Sequence, residues 1–484
     1  MGFLARVSLM LTTVISILHA GNAFAQNCDT DFVGLDPNVL RINVLPTGTD
    51  DTENIQCALE AAVSEGIPTV KLDRATYFIS SISVAGFNGS FEGTTRNDSV
   101  VRILSGSVNC GAIQNGGQIP AAMKFIEGRP TVQFLRFEFD SSVQPCTSGE
   151  PLRALIHFTG TRTGTSECSN DVIFGQVDRV DFLGRGPGMG SQRAVTAIPE
   201  ASVLGGCKGT LLGTIKVNRS SFSDFGFAVS TELRGSAQVD INFNSFSHTS
   251  PGSVADIALI NTGQSTSVIG NEFSGNSDPE ESYTSIFFGA STTGAPNTSR
   301  LAIENNSFVA GDFGAAATSI SIGLDSAQQA PNSLVSIVNN VFNLTTVDDT
   351  SGVGIFVTGG ISGNSITRNR FSGSGVGIFM ASDIATIADW FIGGNTGFAS
   401  FSSSLSDVVL FTNTFNNIVG PNQSASVLDE GNNFVFSGNT VNSSQGVSET
   451  GGSLTGTAKA GMDRAVASEL LAAQKKLRQS LMDQ

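Results

Sequence analysis

The chain has 484 residues, a formal charge of −16 with only 14% charged residues, and 55 Gly and 34 Phe against one Trp and two Tyr. Such an acidic surface disfavours nucleic acid, anionic membranes and polyanionic sugars unless calcium or a local basic stripe mediates. Phe suits a stacked core, whereas Trp and Tyr suit amphipathic platforms, so the imbalance counts mildly against a sugar-stacking cleft.

Residues 1–25 read as a secretory signal peptide: Arg6 supplies the charge, Val7 to Leu18 the apolar core, and Ala23-Phe-Ala25 the cleavage site. That core is too short for a membrane span, and no later stretch reaches about 18 uninterrupted apolar residues. A mature protein without a membrane span is therefore expected, secreted, periplasmic or extracellular. Cys28, Cys57, Cys110, Cys146, Cys168 and Cys207 all lie in the first half. An even count in an exported chain argues disulfides, and pairing of sequence neighbours gives Cys28–Cys57, Cys110–Cys146 and Cys168–Cys207 among the many alternatives. There is no C-x-x-C, and the mature chain keeps only His157 and His248, neither with an acid or Arg beside it in sequence. Both read as ordinary polar residues, and a zinc or thiol-redox site is not expected.

Residues 26–50 form a lead-in without a strong signal. Asp50 to Gly66 then reads as an amphipathic helix, with Asp51 or Thr52 as N-cap, Ile55, Leu59, Ala62 and Val63 on one face, and Gly66 as the stop. Strands follow at Thr69–Leu72 and Tyr77–Val84, then Gly86–Gly93. The order D-D-T-x-x-I-Q-x-A-L-x-x-A, V-x-L, Y-F-I, F-x-G over residues 50–105 resembles the N-terminus of pectin lyase-like β-helix proteins. The resemblance implies a helix capping the first coils of a right-handed parallel β-helix. It leaves activity open, since that scaffold carries lyases, hydrolases, epimerases and non-catalytic proteins.

Farther on, Phe134-Leu-Arg136-Phe-Glu138-Phe139, Val177-Asp-Arg179-Val-Asp181-Phe182 and Val217-Asn-Arg219-Ser-Ser-Phe222 fit one six-residue frame. The frame predicts a stripe of Arg136, Arg179 and Arg219 edged by Glu138 and Asp181, beside long loops that carry Cys146, Cys168 and Cys207. These five are the candidate catalytic residues. An arginine there could clamp a carboxylate bidentately. The resemblance to lyases implies Arg179 as clamp or base, with Glu138 or Asp181 holding calcium, the candidate cofactor, against a substrate carboxylate. The plain alternative is a set of Arg–acid pairs between neighbouring strands, solvated and worth little each. The paired aspartates, G-H-G and R-I-K of polygalacturonases and the D-P-H-D/E of mannuronan epimerases are missing. Gly184 to Gly190 is Gly-rich but reads as a loop.

From Val217 to Val441 the pattern apolar-x-x-Asn-x-Phe returns, at Ile241–Phe246, Val268–Phe273, Ile303–Phe308, Ile337–Phe342, Ile366–Phe371 and Leu410–Phe415. Looser copies lie at Val217–Phe222, Ile392–Phe398 and Phe436–Val441. Steps between the Asn positions from Asn244 to Asn439 are 27, 35, 34, 29, 26, 18 and 26 residues, the last two running through Asn413. Repeats of this length mean a solenoid, and short β-rich runs such as Gly354–Val357 and Gly377–Met380 make it a β one. Asn suits the bend between strands, and Phe two residues later points inward and stacks. About ten coils are expected over residues 67–441.

Residues 442–457 read as a Ser/Gly-rich linker and 458–484 as an amphipathic helix with Met462, Val466, Leu470, Ala473, Leu477 and Leu481 on one stripe. That helix would cap the β-helix, lie along its flank, or pair between chains, which makes self-association a candidate interaction. The class is all-β, a right-handed parallel β-helix with an N-terminal capping helix and a separate C-terminal helix. Two functions stay open: a lyase or hydrolase on a polysaccharide laid along the helix axis, or a non-catalytic extracellular β-helix for adhesion or structure. A polysaccharide is the expected partner, and nucleic acid is not.

Overall fold

The repeat winds into a solenoid in the computed structural model. It describes residues 28–104, 120–139, 154–160, 171–184, 192–198, 211–232, 237–248, 255–260, 265–275, 283–290, 300–310, 317–324, 334–344, 352–359, 364–382, 386–398, 401–402, 407–411, 413–422, 425–436, 439–443, 453–454, 468–469, 471–472 and 475. The signal segment, Cys110, Cys146, Cys168 and Cys207, residues 185–190 and most of residues 442–484 lie outside these.

Each coil contributes a strand to sheet A, then to sheet B, then to sheet C, and returns to sheet A one coil on. Gln238–Asn242, Ser245–His248 and Ala255–Ile260 are one such set, and Gln238 pairs in parallel with Ser265 of the next coil. Among the described residues the sheets hold 16, 11 and 14 strands, some of them outside residues 67–441, for which about ten coils are expected. The chain is a right-handed parallel β-helix.

Its interior is built from two columns that the repeat encodes. Phe137, Phe182, Phe222, Phe246, Phe273, Phe308, Phe342, Phe371 and Phe398 stack with ring centroids 4.8–5.5 Å apart, one coil per ring. At the bend between sheets A and B, Asn244, Asn271, Asn306, Asn340, Asn369 and Asn395 form a buried ladder. Asn340 is typical: its amide donates to Ile303 O (2.9 Å) and Asn369 Oδ1 (3.0 Å), and its Oδ1 accepts from Asn306 N (2.9 Å). The amide thus satisfies backbone groups that a bend would otherwise leave unpaired.

After Asn395 the ladder departs from the sequence reading. It continues through Asn422 and Asn439, not Asn413. Leu410 ends a strand of sheet C, Asn413 donates instead to Ser382 O, and Phe415 is 43% exposed on sheet A. Asn417 and Asn433 make a second, shorter ladder beside the buried Trp390. Val441 belongs to sheet C, so the Phe column ends at Phe398.

Both ends extend past the boundaries drawn from sequence. In the lead-in, Val33–Asp36 and Arg41–Val44 form an antiparallel pair, and Arg41–Val44 opens the parallel part of sheet A against Thr69–Leu72. Thr440–Ser443 and Ser453–Leu454 carry sheet C into the residues read as linker. Helix α1, Thr52–Glu65, ends at Gly66 in the left-handed region. It buries Asn54, Ile55, Ala58, Leu59 and Ala62, whereas Val63 is exposed. Asp51 precedes it and accepts from Thr47 N and Phe78 N instead of capping a helical N–H. A Cys28–Cys57 disulfide ties the lead-in to α1.

Sheet C is buried on both faces over long stretches, as in Gly352–Thr358 and Val376–Met380. Inward residues such as Ile355 and Ile378 join the main core. Outward ones, among them Phe356, Phe379, Val409 and Leu428, form a second apolar cluster that includes Leu471 of the C-terminal helix. Leu471 thus packs on the outer face of sheet C. Among the described residues no helix is long and apolar enough to cross a membrane.

Candidate functional site

The candidate residues gather at the corner between sheets A and B, but in a different alignment from the one read in sequence. Strand Arg136–Glu138 pairs with Asp181–Leu183, which places Arg136 opposite Asp181 and Phe137 opposite Phe182. The corner position matching Arg179 and Arg219 is therefore Phe134, and the frame read over residues 134–139 is displaced by two. The slip has a simple cause. Leu135, Phe137 and Phe139 all face inward, so a shift of two preserves the alternation and nothing in the apolar pattern betrays it.

With the coils aligned, successive corners carry Phe134, Arg179, Arg219, Phe243, Gly270, Asn305, Asn339, Arg368 and Gly394, every one at positive φ. Gly and Asn are the residues that accept this conformation readily. For the others the left-handed region costs roughly 1–2 kcal/mol each. Four consecutive coils nonetheless hold Phe, Arg, Arg and Phe there, at φ of 55°, 54°, 50° and 59°. Phe243 is 65% exposed, and its ring lies over Gly270, where an added Cβ would come within 2.7 Å of the ring. The Arg179 guanidinium sits 5.2 Å from the Phe134 ring centroid.

Around this row is a charged network. Arg219 grips Asp178 through Nε (2.8 Å) and Nη2 (2.9 Å to Oδ2), and Arg179 lies 4.0 Å from the same carboxylate. Asp181 accepts from Arg96 (3.1 Å) and Ser221 (2.6 Å). Glu138 takes Arg102 (2.7 Å) and Arg136 (2.9 Å). All five candidates thus belong to one edge of the molecule, joined there by Arg96, Arg102, Phe134, Asp178 and Phe243, which the sequence reading passed over. The signal for Phe243 was present: it stands just before the ladder Asn, where later repeats have Gly, Asn or, once, Arg368. As for calcium, the candidate cofactor, among the described residues no three His, Cys, Asp or Glu side chains come together to hold a metal ion.

His248 also differs from its reading as an ordinary polar residue. It points inward at the end of a sheet B strand, and its Nε2 lies 2.5 Å from Asp256 Oδ1, while Tyr283 donates its hydroxyl to Asp256 Oδ2. Burial would lower the His248 pKa. The charge and hydrogen bond of Asp256, helped by Asp224, outweigh it and raise the value. Burial, reinforced by Asp256, pushes the Tyr283 hydroxyl well above its ordinary range. All three side chains lie in the interior, out of reach of a polymer.

No family model and no curated protein matches the chain. Among solved structures it is similar to the tailspike protein 3 of bacteriophage CBA120, at 11% identity and a TM-score of 0.42, over 86% of this chain and 58% of that one. It is also similar to the A-module of Azotobacter vinelandii mannuronan C-5 epimerase AlgE6, at 13% identity and a TM-score of 0.31, over 84% of this chain and 94% of that one. A third likeness is the Dettilon tailspike protein, at 14% identity and a TM-score of 0.33, over 83% and 68%. The chain spans a little over half the length of the CBA120 protein. By its three parallel sheets, its stacked interior and the helix at its N-terminal end, the chain has the parallel β-helix fold.

Proposed function

We propose that the protein is an exported polysaccharide-binding β-helix that holds an acidic polymer along the corner between sheets A and B. One observation carries the reading: Phe134, Arg179, Arg219 and Phe243 occupy four consecutive corners in a conformation that favours Gly or Asn. Backbone strain kept at successive positions is a mark of function, and here it presents two aromatic rings and two guanidinium groups outward. Strands stack about 4.8 Å apart, so the row spans roughly 14–15 Å, enough for several sugar units of an extended chain. Aromatic faces take the apolar faces of sugar rings, and guanidinium groups take carboxylates. The five arginines of the patch against Asp178, Asp181 and Glu138 make the local basic stripe that an acidic protein needs to approach a polyanion. Each of those carboxylates is engaged by arginine, an arrangement suited to holding a polymer rather than moving a proton. The Cys28–Cys57 disulfide supports export, because oxidised cysteines persist outside reducing compartments.

Affinity electrophoresis through gels containing polygalacturonate, alginate or dextran tests the reading. Retardation is expected on one of the acidic polymers and not on dextran. Arg179→Gln and Phe243→Ala should each weaken it by roughly tenfold, about 1.4 kcal/mol. Equal retardation on dextran, or wild-type retention by both variants, would sink the reading. Absorbance at 235 nm and reducing ends, followed in the same mixtures, distinguish holding the polymer from cutting it.

A further inference from the structure

At the N-terminal end, well before the arginine corner in the coil order, the lead-in and the first strands of sheet A enclose a cleft of about 440 Å³. This lies in the range of small-molecule sites, about 300–1,000 Å³. Its lining includes Asp31, Phe32, Arg41, Asn43, Lys71 and Asp73.

Two of these are cations without a full set of partners. Arg41 makes one ion pair, Nη2 to Asp36 Oδ2 at 3.4 Å, and its Nε is buried with no acceptor. Lys71 has no carboxylate within ion-pairing distance among the described residues. Strand pairing sets Arg41 opposite Thr69 and Asn43 opposite Lys71. Arg41 and Lys71 are thus diagonal neighbours, roughly 7–8 Å apart at the backbone, and their long side chains can reach one group. Glu92 stands opposite Lys71 on the next strand, but its carboxylate is taken by Ser90 and Gln133, so the lysine beside a buried, unsatisfied guanidinium N–H is left to meet an anion in the cleft.

The rest of the lining narrows the choice. Asp31 and Asp73 are exposed at the rim, while Arg41, Asn43 and Lys71 are half-buried. A compact dianion such as sulfate or phosphate would face both rim carboxylates. A ring bearing one carboxylate and several hydroxyls meets these residues together: its carboxylate goes to Arg41 and Lys71, its hydroxyls to Asn43, Asp31 and Asp73, and its apolar face to Phe32. We propose that this cleft binds a sugar acid of monosaccharide size, at a site separate from the arginine corner and independent of the polymer reading given above.

Saturation-transfer NMR and calorimetry on the oxidised full chain test this, with D-glucuronate as ligand and D-glucose and sulfate as comparisons. Glucuronate is expected to bind, glucose to bind at least about tenfold more weakly, and sulfate not to displace glucuronate. Lys71→Gln should lower glucuronate affinity by about tenfold and leave the Arg41–Asp36 pair in place, so a circular dichroism spectrum like the parent's is expected. Arg41→Gln should lower it similarly. Arg179→Gln should leave it unchanged while weakening polymer binding, which separates the two sites. The assignment is overturned by absence of glucuronate binding, by unchanged affinity in Lys71→Gln, by displacement with sulfate, or by loss of monosaccharide binding in Arg179→Gln.

Discussion

His157 and His248 are both buried in the same solenoid and are driven in opposite directions. His157 sits on the outer row of sheet C, between Lys124 and Thr196 of the adjacent coils, and donates from Nε2 to Ile198 O at 2.9 Å. Burial pushes its pKa down to about 3, with the charges of Lys124 and Arg193 acting the same way against the bond to Ile198. A histidine whose folded pKa lies below the ordinary 6.5 stabilises fully above that value, and the contribution is lost as pH falls from about 6.5 towards 3. His248 is raised, so its contribution is full below about 6.5 and is lost as pH rises through its folded value. Melting temperature is therefore expected to peak near pH 6–7. In scans from pH 4 to 9, His157→Gln should flatten the acid limb and His248→Gln the limb above neutrality. An acid limb in His157→Gln as steep as the parent's would show that the slope belongs to other groups. Neither environment was legible in the sequence. His248 and Asp256 stand eight residues apart on different sheets and Tyr283 comes from the next coil, and no sequence motif links the three.

The columns of the solenoid were legible because each inward position repeats one residue type, and a stacked core needs the same shape at every level. The failures arise where that signal is degenerate. Residues 410–415 spell the repeat correctly, yet Leu410 lies in sheet C and Phe415 on the outer side of sheet A; a six-residue pattern does not say which sheet it begins in. Residues 134–139 alternate so regularly that a slip of two goes unseen. The two cases make a paired prediction. Phe342, fully buried with rings 4.8 Å above and below, should cost roughly 3–5 kcal/mol when changed to Ala. Phe415→Ala, at an exposed position with the same sequence signature, should fall within about 0.5 kcal/mol of the parent. Chemical denaturation of both variants decides it, and comparable losses in the two would restore the sequence frame and refute the structural one.

A solenoid is held together by contacts between neighbouring coils, so its long faces need cover as much as its interior does. Sheet A presents mostly polar residues outward in the early and middle coils, whereas its late coils expose Phe391, Phe415, Ile418 and Phe434. Sheet C needs cover: runs such as Gly354-Ile-Phe-Val357 are apolar at every position, the pattern of a strand covered on both faces. The sequence thus carried a sign that something packs against this sheet, although it did not say what. In the late coils the cover includes Leu471, buried among Val353, Phe356, Val376, Phe379, Val409, Phe411 and Leu428. Docking of this helix is a local contact outside the Phe and Asn columns, so breaking it should undock the segment without unfolding the solenoid. Replacing a buried leucine by alanine costs roughly 2–5 kcal/mol, and an aspartate there adds the cost of a buried charge. Leu471→Asp is therefore expected to speed protease cleavage after residue 455 by tenfold or more, about 1.4 kcal/mol, and to raise binding of a hydrophobic dye as the outer face of sheet C becomes exposed. The far-ultraviolet β signal should stay that of the parent. Unchanged cleavage and dye binding would mean that Leu471 does not hold the helix to the sheet, whereas loss of the β signal would mean that the flank supports the whole solenoid and is not a local addition to it.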